Sequence, residues 1–223
     1  MYSGVVFDFN GTMVWDTAFH EEAWIAFSRE FGKPIDRETY YRDVHGKTTK
    51  HILKMLLGKE CSSAEIAEMS REKERLYREI CLKDPDGFIL APGVEQLLDE
   101  LSSHEVPITI ATASERENVD FFIDHFILGR WFSRDMIVFD DGQVRNKPDP
   151  DIYLRAAENL GYESRELVFI EDSYFGVLAA EAAGCGYLIV AGQPTEQHER
   201  LRKLHVVSQF IEDFSEIDRS LFW

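Results

Sequence analysis

Five short apolar runs are spaced along this 223-residue chain, most of them ending at a polar residue or a turn. Gly4-Val5-Val6-Phe7-Asp8-Phe9 stops at Asn10-Gly11, and Pro107-Ile108-Thr109-Ile110-Ala111 stops at Thr112. Met136-Ile137-Val138-Phe139 follows, then Leu167-Val168-Phe169-Ile170 ending in Glu171-Asp172, and last Tyr187-Leu188-Ile189-Val190-Ala191. Runs this short and apolar at successive positions are strands of a sheet covered on both faces. Helical patterns lie between them. Val94, Leu97, Leu98 and Leu101 recur at helical spacing, and Ser114-Glu115-Arg116-Glu117 reads as a capping box opening a helix through Phe121, Phe122 and Phe126. Asp149-Pro150 reads as an N-cap and a first-turn proline ahead of Ile152–Leu160, and Phe175–Ala183 is closed by Gly184. Strands alternating with helices give the α/β class: a doubly wound parallel sheet with right-handed crossovers.

One stretch breaks the alternation. From about residue 17 to about residue 83 the pattern is helical, with Asp16 as a candidate cap for a first helix carrying Phe19, Ala23, Trp24 and Phe27. Ser62-Ser63-Ala64-Glu65 offers a further capping box. The expectation is a helical domain at residues 16–85 inserted into a core made of 1–15 and 86–223. The aromatic, acidic segment Phe210–Trp223 is expected to pack as a last element on the sheet.

Composition narrows the partners. A formal net charge of −17 repels nucleic acid and anionic lipid over long range. No apolar stretch approaches the roughly 20 residues of a membrane helix, and the N-terminus lacks the basic region of a secretory signal. The three cysteines, Cys61, Cys81 and Cys185, are too scattered for a zinc site and fit a reducing cytoplasm. A cytoplasmic monomer without nucleic-acid or membrane partners is expected.

Ligands of open parallel sheets bind beyond the carboxyl ends of the strands. There the sequence puts Asp8 and Asn10, Thr112, and Glu171 with Asp172, while Lys147 falls in the loop after the third run. Three carboxylates, a hydroxyl and an ammonium in one crevice suit a hard cation with oxygen ligands and a phosphate.

These segments also resemble the four motifs of the haloacid dehalogenase superfamily, in order and across nearly the whole chain. Asp8-Phe9-Asn10-Gly11-Thr12 is similar to the first, usually Asp-x-Asp-Gly-Thr. Ile110-Ala111-Thr112 is similar to the second, Lys147-Pro148-Asp149-Pro150-Asp151 to the third, and Ile170-Glu171-Asp172-Ser173 with Gly176 to the fourth. The helical insertion sits where the β-phosphoglucomutase-like branch keeps its cap, and His20 and Trp24 resemble that cap's opening helix. The resemblance implies a Rossmann-like core and a Mg²⁺-dependent phosphatase acting on a small phosphorylated metabolite. Asp8 would be the nucleophile, and Mg²⁺ would be held by Asp8, the Asn10 backbone carbonyl and Asp172, with Glu171 as a further candidate. Gly11, Thr12, Thr112, Ala113 and Lys147 would receive the phosphoryl group, and His20 and Lys73 would meet the substrate from the cap.

Asn10 departs from the pattern. The family usually has an aspartate there that gives and takes the proton, and an amide does neither. The loss of such help typically costs on the order of 10²–10⁴ in rate. A specialised phosphatase, proton transfer by His20, a weakened phosphate-binding protein, and a substrate-trapping change all remain open. A phosphoglucomutase-like reaction is a further alternative, although Gly46-Lys47-Thr48-Thr49-Lys50 lacks the arginine of that branch's cap. Metal-free dehalogenase chemistry is disfavoured by the Glu171-Asp172 pair and by Lys147.

Overall fold

The computed structural model describes residues 1–45, 47–194 and 196–223, so Gly46, at the head of the arginine-free run, lies outside the described residues. Along the chain come β1 (Gly4–Phe7), α1 (Thr17–Glu30), α2 (Arg37–Thr39) running into a π-helical turn at Tyr40–Val44, α3 (Thr49–Leu57), α4 (Ser63–Lys83) and α5 (Val94–Ser103). They are followed by β2 (Ile108–Glu115), α6 (Arg116–His125), β3 (Val138–Asp140), α7 (Asp151–Leu160), β4 (Leu167–Glu171), α8 (Tyr174–Ala183), β5 (Tyr187–Ala191), α9 (Glu196–Leu201) and β6 (Gln209–Ile211). No helix among the described residues is long and apolar enough to cross a membrane. The chain divides into two compact units, Met1–Trp15 with Ile89–Trp223, and Asp16–Phe88.

The first unit holds a six-stranded sheet in the order β3-β2-β1-β4-β5-β6, parallel throughout. Its two central strands, β1 and β4, have no exposed position, as successive apolar residues require. The outermost strands, β3 and β6, have only three residues each. Of the C-terminal segment expected to pack on the sheet, only Phe210 and Ile211 enter β6, while Phe214–Glu216 and Arg219–Leu221 form 3₁₀ turns. The third apolar run yields its strand two residues late, because Arg134–Met136 forms a 3₁₀ turn first.

Three helix starts differ from expectation. Strand β2 continues to Glu115, so Ser114 caps nothing and α6 begins without a side-chain cap. Asp16 stands at the N-cap of α1 without capping it, because its carboxylate is engaged elsewhere. Pro150 precedes α7 instead of opening it, while Asp149 Oδ1 accepts from the Asp151 N–H at 3.2 Å. The capping box at Ser62 and Glu65 forms as expected.

In the helical unit Trp24, Phe27, Tyr40, Ile52, Leu53 and Leu56 build a separate core. Beside it runs a polar chain of buried and half-buried groups. Tyr77 donates its hydroxyl to Asp16 Oδ2 at 2.5 Å, and His20 Nε2 lies 3.3 Å from the same oxygen. The His20 ring stacks on Tyr77 at 4.1 Å between centroids. Asp16 and Tyr77 are both buried, so each depends on the other's hydrogen bond. Tyr77→Phe is expected to lower stability by about 1–3 kcal/mol, read as a shift of the urea midpoint at constant slope.

Candidate active site

Strand register assembles the site. In β1, Phe7 pairs with Ile110 of β2 on one side and with Ile170 of β4 on the other. Asp8, the residue after β1, therefore comes level with Glu171 and one position short of Thr112. The Asp8 N–H donates to the Ile170 carbonyl at 2.9 Å, and Phe9 stacks on Phe122 of α6 at 4.5 Å, which fixes the turn that follows. Gly11 in that turn has φ +82°, and a Cβ there would overlap the Asp172 carboxylate. The loop after β1 thus closes directly against the loop after β4.

Lys147 bridges the two. Its Nζ lies 2.6 Å from Asp8 Oδ1 and 2.6 Å from Glu171 Oε1. Thr12 donates its hydroxyl to Asp8 Oδ2 at 3.1 Å and sits 3.4 Å from Asp172 Oδ1. Oxygens of Asp8, Glu171 and Asp172 all lie within 4.8 Å of one another. Glu171, fully buried, also accepts from the Tyr153 hydroxyl at 2.9 Å, the Asp172 and Ser173 N–H groups at 2.8 and 2.7 Å, and the Ser173 hydroxyl at 3.0 Å. Gly176 is required below it, since a Cβ there would collide with the Glu171 carboxylate.

One positive charge serves two buried carboxylates, and the shortfall falls on the one with fewer donors. Burial pushes the Asp8 carboxyl up to about 7, with Lys147 pulling it down and Glu171 adding to the rise. Burial also acts against charge on Glu171, but Lys147 and the other donors hold its carboxyl below the usual range. For Lys147 burial disfavours the ammonium, yet Asp8 and Glu171 hold it well above the ordinary lysine value. Asp8 and Asp172 offer the hard oxygens a divalent ion takes. Glu171 stands within reach of the same cluster, and its oxygens accept from five donors, Lys147 among them.

The other expected residues divide by unit. Thr12 is fully buried, with its hydroxyl 3.1 Å from Asp8 Oδ2 and 3.4 Å from Asp172 Oδ1. Thr112 accepts from the Ser114 N–H at 3.2 Å and donates to Asn10 Oδ1 at 3.4 Å. Ala113 is exposed beyond it. Ser114 donates its hydroxyl to Asn10 Oδ1 at 2.7 Å, a contact sequence reading missed by assigning that hydroxyl to a helix end. His20 and Lys73 belong to the helical unit. Lys73 is only 4% exposed, held 2.8 Å from His20 Nδ1, 2.7 Å from Glu74 Oε1, and over the rings of Trp24 and Tyr77. An ammonium only donates, so His20 Nδ1 accepts and its Nε2–H faces Asp16. A cavity of about 380 Å³ beside β3, lined by Arg116, Phe139, Arg155 and Asn159 among others, shares no lining residue with the carboxylate cluster. Chemistry, not volume, marks this site.

Known proteins carry the same architecture. The haloacid dehalogenase-like hydrolase model matches residues 2–184. Protein CbbY of Rhodobacter capsulatus is 30% identical over 202 residues, 86% of each chain. Hexitol phosphatase A of Escherichia coli is 28% identical over 95% of this chain and 93% of its own. The crystal structure of a family IA, variant 3 hydrolase from Entamoeba histolytica superposes with a TM-score of 0.91 at 32% identity, covering 98% of this chain and 96% of that one. The family model spans most of the chain and the parallel sheet agrees with it: the chain belongs to the haloacid dehalogenase-like hydrolases.

Proposed function

We propose that the chain is a divalent-cation-dependent phosphatase of small phosphorylated metabolites, sugar phosphates foremost, in which Asp8 takes the phosphoryl group and then yields it to water. The observation that carries this reading is the Lys147 ammonium 2.6 Å from Asp8, beside the Asp172 carboxylate, at the end of β1. The hexitol phosphatase name of one relative supports the substrate class.

Asp8 attacks phosphorus as a carboxylate, dividing one difficult displacement into two easier ones. Thr12 and Lys147 fix its rotamer, and Lys147 opposes the charge that gathers when a carboxylate meets a phosphate. Glu171 and Tyr153 hold Lys147 in place from below. Asp8, Asp172 and the Asn10 carbonyl are the groups that would hold Mg²⁺, which when bound supplies the positive charge that lets these carboxylates and the substrate phosphate share one site.

Phosphate release from a panel of sugar phosphates is expected with Mg²⁺, to stop on chelation with EDTA, and to return when Mg²⁺ is restored. Turnover that continues undiminished in EDTA would exclude the metal-dependent reading.

A further inference from the structure

Phosphoryl transfer through Asp8 makes two demands on protons. When the bond from phosphorus to the leaving oxygen breaks, an alkoxide needs a proton as it departs, whereas a carboxylate or a phosphate leaves as a stable anion. When water then attacks the phosphorylated Asp8, it must lose a proton.

Among the described residues of the strand unit, the side chains bonded around Asp8 are committed elsewhere: Glu171 accepts from Lys147, Tyr153 and the Ser173 hydroxyl, and Asp172 is one of the groups that would hold the cation. Asn10 is an amide whose Oδ1 accepts from Ser114 and Thr112, and it cannot ionise. Lys147 is clasped between two carboxylates, and Tyr153 is fully buried with its hydroxyl on Glu171. Thr12, Thr112 and Ser114 bring only hydroxyls. His198 packs near the Gly11 turn, where a Cβ on Gly192 would lie 3.6 Å from its Cε1 and 3.9 Å from the Gly11 carbonyl oxygen, but it is buried. In the helical unit both His20 nitrogens are engaged, Nδ1 by Lys73 and Nε2 by Asp16.

We infer that this chain accepts its phosphoryl group preferentially from donors whose leaving group departs as a stable anion, acyl phosphates and related mixed anhydrides, and that phosphorylated Asp8 is long-lived. In the first step an Asp8 oxygen bonds to phosphorus as the bond to the acyl oxygen breaks. The electron pair leaves with the carboxylate, and no proton moves. In the second step water oxygen bonds to phosphorus and the Asp8 carboxylate leaves. Both water hydrogens end on phosphate or in solvent, without a side chain to speed them. This deepens the proposed function and rests on Asp8 being the phosphoryl acceptor.

The test compares the full chain and its Asn10→Asp variant, both with Mg²⁺, on acetyl phosphate, p-nitrophenyl phosphate and a hexose 6-phosphate. Intact mass is recorded after brief exposure to acetyl phosphate. Acetyl phosphate is the more reactive compound in any enzyme, so the ratio between donors in the two proteins is the quantity that decides. The acyl-to-alkyl ratio of kcat/KM is expected to fall by about 10²–10⁴ in Asn10→Asp, and a phosphoryl adduct on Asp8 to persist only in the parent. Equal ratios in the two proteins, without an adduct in the parent, would overturn the inference and leave the phosphatase reading standing. No turnover and no adduct with any donor in either protein would instead overturn the phosphatase reading, and this inference with it.

Discussion

Asp8→Asn is expected to lower phosphate release by about 10⁴–10⁶-fold, the scale on which removal of a covalent nucleophile acts, while the protein stays folded. The amide keeps an oxygen for the Lys147 and Thr12 hydrogen bonds, so the packing at the end of β1 survives. It also relieves a carboxyl whose charge burial already disfavours. Phosphate release and thermal unfolding measured on the same preparation check both halves. Activity within tenfold of the parent would remove Asp8 from the chemistry. A collapse of the fold would show instead that its charge is structural.

Lys147→Met is the second large effect, and here stability moves with activity. Asp8, Glu171 and Lys147 are all nearly or fully buried, and the ammonium is the positive partner of both carboxylates. Its removal leaves charge in a dry site, which typically costs about 3–5 kcal/mol. The deficit should narrow as the pH falls, because protonation neutralises the orphaned carboxylates. It should also narrow in Lys147→Met combined with Glu171→Gln, which deletes one of them. Urea unfolding of the metal-free proteins gives the comparison. A single variant as stable as the parent would contradict the account of a buried triad.

The positions of the chemistry were legible because each strand announces its end. Asp8, Thr112 and Glu171-Asp172 follow apolar runs directly, and a parallel sheet has only one edge to which those ends can go. What those side chains bind was less legible. Ser114 three residues before Glu117 has the form of a capping box, yet β1 lies beside β2 and the Ser114 hydroxyl donates to Asn10. That Thr12 contacts Asp8 and Asp172 from its glycine-containing turn was not readable from the sequence, because the turn brings together groups 160 residues apart. The chain Asp16-His20-Tyr77-Lys73 was half visible. Residues 16 and 20, and 73 and 77, each lie one helical turn apart, but nothing local says that α1 and α4 bring the two pairs together.

The sheet's borders carry a further consequence. Strands β3 and β6 each contribute three residues, so an incoming peptide could form only a few main-chain hydrogen bonds along either side. Fibrillar growth by annealing of neighbouring molecules therefore has little to gain at either margin.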